Sequence, residues 1–190
     1  MGIEFELKYA ANDRQLEILR NRYPHLRPIT METTYYDNAA GDFSRLKWTF
    51  RRRMENGRSV CTLKTPAKGL GRAEFETECE DLLRAVPLLI AQGAPEALAK
   101  LVAAGITPSC GAKFTRLAAT LPVDSATVEL ALDRGVLLGG GKALPLLEVE
   151  IEYKDGQEAT AEAFAYSLAS AYGLTPEKKS KFKRANELTL

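Results

Sequence analysis

The chain has 190 residues, 45% of them hydrophobic and 27% charged, which fits one folded domain with a real core rather than a disordered or collagen-like chain. Its 26 basic and 25 acidic residues leave a net charge of +1, which argues against a simple nucleic-acid coat while allowing either sign to concentrate locally. Three cysteines without a Cys-x-x-Cys pair and one histidine, His25, argue against a disulfide frame, zinc chemistry or a histidine-assisted nucleophile. With no apolar run near the ~20 residues of a membrane span, the expectation is a cytoplasmic protein that meets no membrane.

In chain order, residues 2–8 read as a strand, with Ile3, Phe5 and Leu7 on one face and Glu4, Glu6 and Lys8 on the other. Asn12-Asp13 caps a helix expected over 14–22, ended by Pro24 and Pro28. A β-prone run covers 33–37, followed by a loop through Gly41. Strands over 48–54 and 59–65 flank Glu55-Asn56-Gly57, whose Asn-Gly pair takes the positive φ of a tight hairpin. After a loop over 66–71, another strand covers 72–79. The Leu- and Ala-rich stretch 81–104 is expected as two or three short helices cut at Pro87, Gly93 and Pro95. Strands over 113–121, 126–133 and 146–153 come next, then a helix over 157–172 ended by Gly173, and a basic segment from Pro176. Eight strands, mostly joined by short turns, predict an antiparallel barrel or a strongly curved sheet. Periodicity alone does not choose between an open sheet with a solvated face and a barrel with a polar lumen.

The charged strand faces carry the chemistry. In order they present Glu4, Glu6 and Lys8; Arg51 and Arg53; Lys64 beside Thr62; Arg72, Glu74, Glu76 and Glu78; Arg116; Glu129 and Asp133; and Glu148, Glu150 and Glu152. Three carboxylates at i, i+2, i+4 repel one another and call for a cation, and hard oxygen ligands suit Mg²⁺ or Mn²⁺. Arginine forks match phosphate oxygens, and Lys64 acts as a point charge. A polyphosphate held through metal ions fits such a pairing of walls. Arg52 points away from Arg51 and Arg53. Gly139-Gly140-Gly141-Lys142 lacks the spacing of a phosphate loop and reads as a hairpin connection. Trp48 and the run Tyr35-Tyr36-Asp37 read as packing, and 177–184 as a solvated helix face apart from Lys181.

Taken together, Glu4-Phe5-Glu6-Leu7-Lys8, Phe50-Arg51-Arg52-Arg53, Thr62-Leu63-Lys64, Arg72-Ala73-Glu74-Phe75-Glu76, Phe114-Thr115-Arg116, the 128–135 stretch, the 147–152 stretch and Ser180-Lys181 resemble, in order, the CYTH domain of the triphosphate tunnel metalloenzymes. The likeness runs over nearly the whole chain and is nearest to the bacterial inorganic triphosphatases. It implies an α+β fold, a closed eight-stranded antiparallel tunnel with a polar lumen and flanking helices, in a single domain over 1–190 without the helical CHAD domain some members carry. It also implies a hydrolase that removes the terminal phosphoryl of inorganic triphosphate with Mg²⁺ or Mn²⁺. Glu4, Glu6, Lys8, Glu129 and Glu150 would be catalytic. Glu4, Glu6, Asp133, Glu148, Glu150 and Glu152 would hold metal. Lys8, Arg51, Arg53, Lys64, Arg72, Arg116 and Lys181 would bind phosphate, with Glu74 and Glu76 in support. Lys113 does not share a face with Arg116 and is not carried over, and 39–47 departs from the family pattern. Triphosphate or polyphosphate is the expected partner, not nucleic acid, and the chain is expected as a monomer or weak homodimer. The alternatives are a thiamine or nucleoside triphosphatase or an adenylyl cyclase on the same scaffold, or a polyphosphate- or nucleotide-binding module without turnover.

Overall fold

The structure, a computed structural model, describes residues 2–67 and 71–190, the first three of these by backbone alone. The elements in order are β1 (Gly2–Glu4), β2 (Glu6–Ala10), α1 (Asp13–Arg22), β3 (Arg27–Asp37), α2 (Asp42–Arg45), β4 (Thr49–Glu55), β5 (Arg58–Pro66) and β6 (Arg72–Glu78). Then come α3 (Leu82–Ala91), α4 (Ala97–Ala103), β7 (Thr107–Val123), β8 (Ala126–Gly139), β9 (Lys142–Gly156), α5 (Glu158–Tyr172), β10 (Thr175–Pro176) and α6 (Lys181–Glu187).

All the strands join one antiparallel sheet in the order β1-β6-β5-β4-β3-β7-β8-β9-β2-β10. This corrects the expected closed eight-stranded barrel, because among the described residues the sheet has ten strands and its ladder does not close. The cause lies at the N-terminus, where the first strand breaks at Phe5. Residues 2–4 pair with β6, while residues 6–10 pair with β9. The two-residue β10 then adds an edge beyond β2. One short N-terminal segment therefore touches both halves of the sheet without forming a single continuous rung between them.

Strands β3, β7, β8 and β9 run to 11, 17, 14 and 15 residues, longer than the sequence pattern predicts. Glycines account for part of this. A Cβ on Gly135 would stand 2.2 Å from the Lys113 carbonyl oxygen, so glycine there permits a close strand approach rather than ending the strand. The tight turn Asn56-Gly57 does take positive φ, 48° and 85°, as the sequence predicts. Gly139 to Lys142 is likewise the β8–β9 connection.

Side-chain alternation divides the sheet into an apolar outer face and a mostly charged inner face. Leu130, Leu132, Val149 and Ile151 pack outward with Leu16 and Leu19 of α1 and Ala165 and Leu168 of α5. A second core sets Phe43, Phe50, Leu63 and Phe75 against α3 and α4, with Trp48 at its margin. Each fully buried leucine here contributes roughly 1.5–3 kcal/mol. Asn12 caps α1 through a reciprocal pair with Gln15, whose side-chain amide also donates to the Tyr172 and Gly173 carbonyls at 2.9 Å. Gln15 thereby ties the start of α1 to the end of α5. Pro87, expected to cut the 81–104 stretch, sits inside α3, which buries Ala85, Val86 and Leu89 around it.

Helix α6 lies on the inner face. Phe182, Ala185 and Leu188 pack on Met31, Tyr35, Phe114, Leu137 and Leu146. The reading of 177–184 as a solvated face is corrected here, since this segment plugs the apolar end of the inner surface. Among the described residues, no helix is long and apolar enough to cross a membrane.

Candidate functional site

Beyond α6 the inner face encloses a cavity of about 320 Å³. Among the described residues, eight Lys or Arg and seven Glu line it, so a folded wall of ions meets whatever enters. Strand register explains how they come together. Lys8 pairs across β2–β9 with Glu150 and Glu6 with Glu152, while Glu152 faces Glu129 on β8. On the other half, Arg51 faces Thr62, Thr62 faces Glu76, and Lys64 faces Glu74. Residues opposite one another in antiparallel strands share a face, so each row projects inward.

The placement of the expected site residues follows from this. Glu6, Lys8, Arg51, Arg53, Lys64 and Arg72 line the cavity, as do Glu74, Glu76, Arg116, Glu129, Glu150, Glu152 and Lys181. Arg52 points elsewhere and donates to the Glu80 carbonyl at 3.1 Å. Lys113, which does not share the face of Arg116, meets Glu32 at 2.7 Å outside the cavity. The backbone of Glu4 lies opposite Arg72, but its side chain lies outside the described residues. Asp133 and Glu148 are absent from the wall because both are fully buried behind it.

These two form the densest part of the site. Asp133, Glu148 and Glu150 bring one oxygen each within 4.8 Å of one another. Arg116 donates to Asp133 through Nε and Nη2, both at 2.8 Å, and Nη2 also meets Glu150. Lys181 Nζ reaches Asp133 at 2.8 Å and Glu150 at 2.6 Å and also contacts Glu148. Arg184, which sequence reasoning missed, pairs with Glu148 and stands 3.6 Å from Glu177. The Phe114 ring underlies both Lys181 and Arg116, with centroid distances of 5.5 and 5.9 Å.

Charge states follow from this crowding. Burial would lower the Lys181 ammonium, but Asp133, Glu150 and Glu148 outweigh it and raise the pKa. Arg116 is raised in the same way by Asp133 and Glu150. Burial pushes Glu148 up to about 7, with the Glu150 charge adding to the rise against Lys181 and Arg184. Glu150 goes the other way, because Lys181 and Arg116 overcome the effect of its burial. Lys8 is raised, since Glu6 at 3.0 Å, with Glu150 and Glu148, outweighs desolvation. Arg53 is lowered instead, by burial first and by Arg51 next, despite Glu55 and Glu76.

Tyr35 and Asp37 do more than the packing expected of them. Tyr35 also lines the cavity beside Phe182, at 5.2 Å between rings. Asp37 accepts from the backbone of Asn38, Phe43 and Ser44, and from the Ser44 hydroxyl at 2.7 Å, which folds the chain into α2. An Asp-Asn pair closing a strand signals a turn in sequence, but the span of these bonds does not show there.

An antiparallel sheet here curves about a cavity of paired carboxylates, guanidinium groups and ammonium groups. The chain belongs to the CYTH domain family, whose model matches residues 2–185. A protein of Pyrococcus horikoshii is 24% identical over 97% of this chain and 98% of its own, with a TM-score of 0.66. An adenylyl cyclase candidate of Hippeastrum, described as having a dominant triphosphatase activity, is 18% identical over 100% and 97%, with a TM-score of 0.66. An adenylate cyclase candidate of Bacillus halodurans is 15% identical over 96% of each chain, with a TM-score of 0.64. These likenesses establish the fold.

Proposed function

We propose that the chain is a divalent-metal-dependent hydrolase of the terminal phosphoryl of a linear triphosphate, with inorganic triphosphate the favoured substrate. The observation that carries this reading is Arg53. Its guanidinium is lowered by burial and by Arg51, and its Nε is buried without a hydrogen-bond partner. Its Nη2 already meets Glu55, and the buried Nε would take an oxygen of an incoming anion. Arg51, Lys64 and Arg72 line the same wall and would take the remaining phosphate oxygens.

The opposite wall fits a hard cation. Glu6, Glu129 and Glu152 offer oxygen ligands facing the cavity, the donor type that suits Mg²⁺ or Mn²⁺. When bound, such an ion would polarise the phosphoryl group and neutralise its developing charge. The chain's own part is to bind, orient and confine. Arg53 and Arg51 would fix the triphosphate in line, and Lys8 would face the transferred group. Glu129 would hold the attacking water, and the confined wall would limit competing solvent. Phosphoryl transfer needs little beyond such positioning and charge neutralisation.

The test is phosphate release from inorganic triphosphate, ATP and thiamine triphosphate, each with Mg²⁺, Mn²⁺ or a chelator. The expected result is fastest release from inorganic triphosphate, abolished by chelator. Tight triphosphate binding without release would instead identify a binding module, and chelator-resistant release would overturn the metal assignment.

A further inference from the structure

The buried carboxylates Asp133, Glu148 and Glu150 have the spacing of a divalent-cation site, yet their surroundings do not suit one. Three cations already meet them. Arg116 holds Asp133 and Glu150, Arg184 holds Glu148, and Lys181 Nζ faces all three. An ammonium has three N–H donors, and here three carboxylates stand about it within 2.8 Å or closer. Three carboxylates against three cations leave no formal charge for a divalent ion to neutralise.

Hydration points the same way. Asp133 and Glu148 are 0% exposed and Glu150 is 7% exposed. Mg²⁺ dehydrates reluctantly and keeps several waters in most protein sites, and two of these three carboxylates have no exposed surface at which a hydrated ion could meet them. The plug on the outer side is apolar, since α6 brings Phe182 and Ala185 onto Phe114, Leu137 and Leu146.

We propose that this carboxylate triad is a closed ammonium site whose resident cation is Lys181. Lys181 stands where a divalent ion would otherwise bind, and its donors are committed to the triad rather than to substrate. Helix α6 supplies both Lys181 and Arg184, so docking of α6 and divalent-ion binding at the triad exclude each other. On the reading proposed above, a bound divalent ion is then confined to the cavity-facing carboxylates, with the triad acting to position Glu150. The assignment of the triad itself holds whatever the substrate is.

The test counts Mn²⁺ bound at saturation by electron paramagnetic resonance on the full chain. It compares the unsubstituted protein with Lys181→Met, which keeps the side-chain length and removes the charge. The expected result is one additional Mn²⁺ in Lys181→Met, lost again when Glu148→Gln is added. The readout is a difference in bound ions, so it stands even where no triphosphate is hydrolysed. An equal count in the two chains overturns the proposal. So does loss of a bound Mn²⁺ when Glu148→Gln is made in the otherwise unsubstituted chain. Where Lys181→Met does not fold, Glu148→Gln decides alone: an unchanged count supports the closed site, and a count lower by one overturns it.

Discussion

On the wall of one cavity, Arg116 and Arg51 meet carboxylates on different terms. Arg116 holds Asp133 through two donors at 2.8 Å, while Arg51 stands 3.7 Å from Glu74. The contrast extends to their neighbours. Lys181 lies within 2.8 Å of Asp133 and 2.6 Å of Glu150, whereas Lys64 is 3.3 Å from Glu74 and Arg53, which meets Glu55 closely, is 4.0 Å from Glu76. The half built from β7–β9 and α6 is saturated by its own ions. Among the pairs described in the half built from β4–β6, Arg51 and Lys64 stand farther from Glu74, although Arg53 is in close contact with Glu55. Saturation by buried pairs fixes geometry.

The largest effect belongs to the saturated half. Arg116→Ala leaves Asp133 and Glu150 without their guanidinium in a buried setting. Removing one partner of a buried pair costs roughly 3–5 kcal/mol, which urea unfolding would read directly. Arg51→Ala should cost less in the same assay, since its pair with Glu74 is longer, at 3.7 Å, than either donor of Arg116 to Asp133. Equal losses in the two variants would erase the distinction between the halves.

Catalysis should invert the ranking of stability costs on the half built from β4–β6. Arg53→Ala removes a charge-assisted phosphate contact of about 1.5–3 kcal/mol, or about one to two decades in kcat/KM on triphosphate. Arg52→Ala should stay near the unsubstituted rate, because Arg52 faces away and donates to the Glu80 carbonyl. A crippled Arg52→Ala with an active Arg53→Ala would mean that the face of β4 has been read backwards.

How much of this was legible in the sequence depends on which residues are asked about. Alternation placed Arg51 with Arg53, and Glu74 with Glu76, on one face of their own strands, and the register shows that these faces and Lys64 point the same way. A period of two survives any fold that keeps the strand, so faces were readable. Closure was not, because the break at Phe5 depends on which strands flank it, and alternation runs through Phe5 unchanged. Arg184 was hidden for another reason. A run of lysines and arginines usually coats a solvated helix, and only tertiary contact turns Lys181 and Arg184 inward while Lys179 pairs with Glu187 at the surface. Pro87 misled because packing of α3 around Ala85, Val86 and Leu89 overrides the lost backbone bond.

A smaller effect should appear in the pH dependence of the saturated half. Glu148 is raised from the ordinary 4.5 to about 7, chiefly by burial. Between those values the folded chain holds a proton that the unfolded chain has released. The Glu148 contribution to stability is therefore full below about 4.5 and is lost as pH rises through about 7. Glu148→Gln cannot titrate, so it should gain stability relative to the unsubstituted chain between pH 4.5 and pH 8, as read by paired urea titrations. An offset that does not change with pH would show that Glu148 ionises normally in the fold.

The smallest signal comes from thiols placed in the two halves. Cys61 lies in the core beneath β4–β6, and Cys110 lies beneath α6, its Sγ 3.9 Å from the Phe182 carbonyl. Burial pushes both thiols up to about 11. At pH 8 the thiolate fraction at such a pKa is about one in a thousand, so both should label with iodoacetamide far more slowly than a free thiol. Cys79 is less buried and should label first. In Lys181→Met the anchor between α6 and the carboxylates is gone, and Cys110 should become reactive while Cys61 keeps its protection. Mass spectrometry of the labelled peptides over time separates the two sites. If Cys61 and Cys110 gain reactivity together, the loss of Lys181 loosens the whole sheet rather than undocking α6, and the two halves do not act as separate structural units.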